Sequence, residues 1–279
     1  MAVRKQHFGC YLFILSTIIT VNCQTETECG VMRGPVPTQF RIIGGGPARI
    51  GNYPWQVSIR RNNVLICGGS IISNSYVLTS AHCFRVRGRY TLYAGTQLRN
   101  NQFREGALHR IVDIRRHPQF ISQIMFADVA LVRVLPRFNF RPGTNGGRNA
   151  IGPICLPVAR APVTERTGII SGYGWSNFYR VEPYLKAARI QILNHVYCER
   201  VYRIRYRYDR NSMVCAGYVN GGTDSCLGDS GGPLAVLTNN RVTQIGITSF
   251  GYGCARRGYP GVYMQVSVFR NWIQSVALV

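Results

Sequence analysis

Four residue types at particular places in this sequence could carry out hydrolytic chemistry. Gly228-Asp229-Ser230-Gly231-Gly232-Pro233 sets a serine among glycines. A serine hydroxyl is a weak nucleophile until a neighbouring base removes its proton. Glycines beside it let the backbone come close to a substrate carbonyl, so that its N–H groups can hold the oxyanion formed on attack. The stretch also fits G-x-S-x-G, the strained strand-to-helix turn of the α/β-hydrolases. Those enzymes place their histidine after the serine, and the last histidine here is His195, so chain order excludes that reading. The opposite order is available. His82 lies in Thr79-Ser80-Ala81-His82-Cys83, and Asp128 opens the apolar run Asp128-Val129-Ala130-Leu131, giving His, Asp and Ser in sequence.

Together with Arg41-Ile42-Ile43-Gly44-Gly45, Pro54-Trp55-Gln56-Val57-Ser58 and Pro260-Gly261-Val262-Tyr263, these segments resemble the chymotrypsin family of serine proteases from Arg41 to the end of the chain. The resemblance implies that Ser230 attacks the scissile carbonyl and that His82 takes and returns the proton. Asp128 would hold the His82 tautomer, and the N–H groups of Gly228 and Ser230 would form the oxyanion hole. It also places Asp224, six residues before the nucleophile, at the floor of the primary specificity pocket. A buried carboxylate needs a partner, and a substrate Arg or Lys supplies one. Ser225 would add a hydrogen bond, and Gly251 and Gly261 would leave the pocket walls open to a long cationic side chain. The activity implied is a trypsin-like endopeptidase that works through an acyl-enzyme and requires no cofactor and no metal. His109, His117 and His195 are read as structural.

Activation follows from the same resemblance. Cleavage after Arg41 by an activating protease would free the Ile42 ammonium to pair with Asp229. Residues 1–23 read as an export signal, with Arg4 and Lys5 before an apolar run from Phe8 to Val21 that is too short to span a bilayer comfortably. The implied organisation is a signal at 1–23, a pro-segment at 24–41 and a peptidase domain at 42–279, with the product secreted and extracellular. Removing the signal leaves eight cysteines. An even number in an exported chain suggests disulfides, and no C-x₂-C pair argues for zinc. The family pairing implies Cys67–Cys83, Cys198–Cys215 and Cys226–Cys254. Cys29 would then pair with Cys155 and keep the cut pro-segment attached. One further family bridge is missing at both ends, where Gly168 and Val236 stand. The loop after Gly95 has only Glu105 as a carboxylate, too few charged oxygens for calcium.

The elements that must position these residues read as short β-rich runs between Gly, Asn and Pro: 55–60, 70–80, 90–94, 129–135, 189–193 and 242–249. Such a pattern predicts an all-β sandwich or barrel. Phe269, Trp272, Ile273 and Val276 fall at helical spacing and predict a C-terminal helix over 268–277. With the resemblance, the expected fold is two six-stranded antiparallel β-barrels, 42–153 and 154–265, followed by that helix. Tyr173, Phe250, Leu227 and Met125 are expected to make the substrate rim apolar.

Charge stands apart. The chain carries +22 at pH 7, and from residue 42 on, 29 basic residues face 9 acidic ones. The expected partners are protein or peptide substrates with Arg or Lys at the cut, protein inhibitors and a polyanion such as heparin held by Arg205, Arg207 and Arg210. Broad digestion, or a non-catalytic polyanion-binding role on the same fold, are the rival functions.

Overall fold

The computed structural model describes residues 29–32, 46–99, 106–140, 151–177, 180–181, 183–203 and 208–279. Six strands make the first half: β2 (Gln56–Arg61), β3 (Val64–Ile71), β4 (Tyr76–Thr79), β5 (Tyr90–Ala94), β6 (Ala107–Arg116) and β7 (Ala130–Leu135). They close into a barrel in the order β2-β3-β4-β7-β6-β5. Closure pairs each of the six strands on both sides over at least part of its length, which leaves little sheet edge open. Val57, Ile59, Leu78, Leu92 and Leu131 are inaccessible to solvent and fill the core. The run 70–80, expected as one strand, is two. It spans the end of β3 and all of β4, reversed by the Ser73-Asn74-Ser75 turn in which Ser73 Oγ accepts from the backbone N–H groups of Ser75 and Tyr76.

The second half contains β8 (Thr167–Gly172), β9 (Trp175–Asn177), β10 (Arg180–Val181), β11 (Lys186–Gln191), β12 (Met213–Ala216), β13 (Pro233–Thr238), β14 (Arg241–Phe250) and β15 (Gly261–Gln265). Seven strands form one sheet, β1-β11-β8-β13-β14-β15-β12, where β1 (Gly46–Pro47) arrives from the N-terminal side. The other six close into the second barrel. Just past β11, Ile192 bridges Ala216 at the end of β12, and Leu193 donates to Cys215 O. Ile170, Ile190, Val214, Leu234, Val236 and Tyr263 pack its interior. The fold is thus the expected two-barrel architecture, with β1 crossing from the first half to lie on the second.

Two hairpins turn on the same dipeptide. Asn62-Asn63 joins β2 to β3 and Asn239-Asn240 joins β13 to β14, all four with φ between 50° and 67°. Asparagine tolerates the left-handed conformation that a two-residue hairpin matching strand twist requires. The C-terminal helix α2 (Val266–Ala277) begins two residues before its expected start. A helix absent from the sequence reading, α1 (His195–Tyr202), is capped by Asn194, whose side chain accepts from Tyr197 N.

Candidate active site

His82 lies in a single 3₁₀ turn, Ala81–Phe84, directly after β4. Its Nδ1 is 2.7 Å from Asp128 Oδ2, and its backbone N–H donates to Asp128 Oδ1 at 2.8 Å. Asp128 is fully buried just before β7, the strand beside β4 in the barrel. A third donor, the Ser249 hydroxyl, reaches Oδ2 at 2.6 Å from the end of β14. With acceptors only on Asp128, these contacts put the His82 proton on Nδ1 and leave Nε2 free to act as a base. Sequence reasoning did not single out Ser249. Its position next to Phe250, itself assigned beside the substrate, was the available signal.

Ser230 lies on the loop that leads into β13 and is half-buried. This loop is tied to both barrels. Ser230 O accepts from Gly68 N on β3 at 2.8 Å, and Gly231 N donates to Thr248 O at 2.8 Å. Thr248 O also accepts from Ser80 Oγ at 2.7 Å. Gly231 has φ +81°, and a methyl group there would lie 2.1 Å from Thr79 Oγ1. Only glycine fits both the conformation and the space. The serine is therefore pinned against the strand end that presents His82, from the opposite barrel.

Asp229 is 2% exposed, with Oδ1 accepting from Gly174 N at 2.8 Å and Oδ2 from Cys226 N at 3.0 Å. Burial pushes its pKa up to about 6, against the pull of those two bonds and of Arg99 and Lys186. Gly172 and Gly174 make room for it: a methyl at either would fall within 2.4 Å of its carboxylate oxygens. Arg41 and Ile42 lie outside the described residues, so the activation pairing expected for Asp229 does too. So do Glu105, Arg205 and Arg207.

The expected pocket residues come together. Asp224 is 2% exposed, and it accepts from Ser225 N at 2.8 Å and from Ala255 N at 3.1 Å. Burial raises its pKa to about 7 despite those hydrogen bonds. A methyl on Gly261 would lie 2.7 Å from Asp224 Oδ1, and one on Gly251 would lie 3.8 Å from Gly261 Cα. Ser225 Oγ meets Tyr263 Oη at 3.2 Å. The Cys226–Cys254 disulfide links the segment after Asp224 to the segment before Ala255.

All four expected disulfides form: Cys29–Cys155, Cys67–Cys83, Cys198–Cys215 and Cys226–Cys254. Cys67, His82 and Cys83 bring potential metal ligands within 4.8 Å of one another, but both sulfurs are spent on their mutual bond. Extending the β8–β13 register by one residue sets Gly168 opposite Val236, the place of the missing bridge. The rim is narrower than expected. Leu227 is 62% exposed and Phe250 half-buried, but Tyr173 is 1% exposed with its hydroxyl on Thr96 O, and Met125 is 9% exposed. Tyr173 and Met125 are covered by their neighbours, so of these four residues Leu227 and Phe250 are the ones that offer apolar surface. The three other histidines among the described residues make structural contacts. His109 Nδ1 contacts Pro136 O, His117 packs on Phe269 and Trp272, and His195 Nδ1 meets Tyr208 Oη. Arg210 pairs loosely with Glu199 at 3.7 Å.

A His82–Asp128 pair on the first barrel, a Ser230 loop tied to both barrels and a buried Asp224 beside Gly261 together define the class. The family model described as Trypsin matches residues 42–273. The chain is 34% identical over 252 residues to Transmembrane protease serine 9 of Rattus norvegicus, an alignment covering 88% of this chain and 22% of that protein. It spans about a fifth of that relative's length. The chain belongs to the trypsin family of serine proteases.

Proposed function

We propose that this chain is a secreted trypsin-like endopeptidase, made as a zymogen and cutting after Arg or Lys. The observation that carries the specificity is Asp224, a buried carboxylate with two backbone N–H bonds and no cation beside it among the contacts of the described residues, next to a wall that lacks a side chain at Gly261. A substrate guanidinium or ammonium would complete that site.

In this reading Ser230 adds to the carbonyl as His82 Nε2 accepts its proton, and Asp128 stabilises the imidazolium. Gly228 and Ser230 N–H groups hold the oxyanion. His82 then returns the proton to the leaving amine, and water releases the acyl group by the same route. Residues 1–23 serve as signal, 24–41 as pro-segment and 42–279 as the peptidase domain. Cleavage after Arg41 frees Ile42 to pair with Asp229, a carboxylate whose pKa burial raises. Four disulfides fit an oxidising compartment. No helix among the described residues is long and apolar enough to cross a membrane.

The basic surface supports a second reading, a non-catalytic polyanion binder. An organophosphate separates the two. After cleavage at Arg41, stoichiometric labelling of Ser230 supports the protease, and an unreacted serine in correctly cleaved, folded protein refutes it.

A further inference from the structure

Strand β6 outruns its neighbour. Ala107 to Arg110 pair with β5, whereas Ile111 and Asp113 to Arg116 pair with β7 alone. The split falls where β5 begins, at Tyr90, and a register irregularity between Ile111 and Asp113 leaves Val112 as an extra residue. In an antiparallel pair every second residue turns its N–H and C=O away from the partner strand. No strand among the described residues takes up the groups that residues 111–116 turn away from β7. The barrel, closed elsewhere, has a short open edge here.

Residues 88–90 stand off from that edge, leaving a groove of about 450 Å³ between them and residues 110–114. The groove is pre-formed. Arg89 N donates to Asn62 Oδ1 at 3.1 Å, Gly88 rests on the side-chain stem of Arg61, and Tyr90 packs against Phe84 with ring centroids 5.0 Å apart. Arg89 on one wall and Arg110 on the other are exposed, and no ion pair among the described residues engages either. Asp113, the acid on the walls, is held by Arg115 Nε at 2.8 Å. Val112 is 41% exposed within the groove.

We propose that this groove docks an extended acidic segment of a partner protein, which adds as a strand along residues 111–115 and sets carboxylates against Arg89 and Arg110. Strand addition uses main-chain bonds for affinity and alternate side chains for selectivity. Here the added strand would meet the exposed Arg89 and Arg110 and the exposed Val112, all on the groove lining. A sulfated polysaccharide supplies the anions but neither the alternating amide groups nor the apolar contact. The site lies outside the cleft and stands independently of the catalytic reading.

The test uses a fluorescein-labelled ten-residue peptide alternating Glu and Val, which has no Arg or Lys to cut, titrated with the full chain by anisotropy at 50 and 300 mM NaCl. Saturable binding that weakens with salt is expected. Arg89→Ala with Arg110→Ala should weaken it by about tenfold, the size of two exposed charge contacts. A peptide of equal charge, N-methylated at alternate residues, should lose at least as much. Thermal melting of the double variant within a few degrees of wild type shows that the fold is intact. Absence of binding, equal binding by the double variant, or equal binding of the N-methylated peptide overturns the proposal. A heparin tetrasaccharide that binds more tightly than the peptide, and loses that affinity in the double variant, would assign the groove to a polysaccharide and also overturn it.

Discussion

Ser249 Oγ donates to Asp128 Oδ2 at 2.6 Å, across the boundary between the two barrels. The bond joins the end of β14 to the residue that orients His82. A buried carboxylate with both oxygens engaged has little freedom to rotate, so Ser249 helps fix the imidazole through Asp128.

Replacing Ser249 with Ala removes one donor from that carboxylate. A hydrogen bond to a charged group is worth about 1.5–3 kcal/mol. Ser249→Ala should lower kcat by about tenfold or more while KM changes little, since Ser249 acts through Asp128. Steady-state kinetics on an arginyl amide check it, and a wild-type kcat would remove Ser249 from the machinery.

The Asp224 carboxyl, raised to about 7 by burial, gives a pH signature. Above that pH the empty pocket floor is charged, and below it is protonated and neutral. Affinity for a cationic ligand such as benzamidine is therefore full above about pH 7 and falls as pH drops, by up to about tenfold per unit. Asp224→Asn should bind weakly at every pH with a flat profile. Calorimetric titration between pH 5 and 8 reads this out; a flat wild-type profile would contradict it.

Cys29 is anchored on the second barrel by more than its disulfide. Gly30 N donates to Pro153 O, Val242 N to Gly30 O, and Arg241 Nη1 to Cys29 O. The segment is held independently of the peptide bond after Arg41. Activated protein should therefore run as one species on a non-reducing gel and as two after reduction. Arg41→Gln should give a single species in both lanes, without amidase activity. Activity of that variant equal to wild type would refute activation at Arg41.

Much of this site could be read from the sequence because the chemistry sits in contiguous motifs. His82, Asp128 and the Ser230 loop each carry their own local signal, and the disulfide pairs follow from the resemblance. Less legible were the contacts made across the fold. Ser249 meets Asp128 over a separation of 121 residues, and nothing next to Ser249 in sequence announces an acid. Tyr173 and Met125 were misplaced on the rim for a related reason, since burial depends on what packs above a residue. The run 70–80 reads as one strand because its apolar residues continue on both sides of the turn. Helix α1 went unread, since only Cys198 and Tyr202 of its eight residues are buried and they leave a weak apolar stripe.

The most direct test of the specificity argument is kcat/KM for matched peptide amides differing only at the residue before the cut, measured on protein cleaved after Arg41. With Asp224 as the pocket floor, arginine and lysine should exceed phenylalanine and alanine by at least about a hundredfold, as expected when the wrong side chain leaves a buried charge unpaired. Equal or faster cleavage after phenylalanine or alanine would contradict the account.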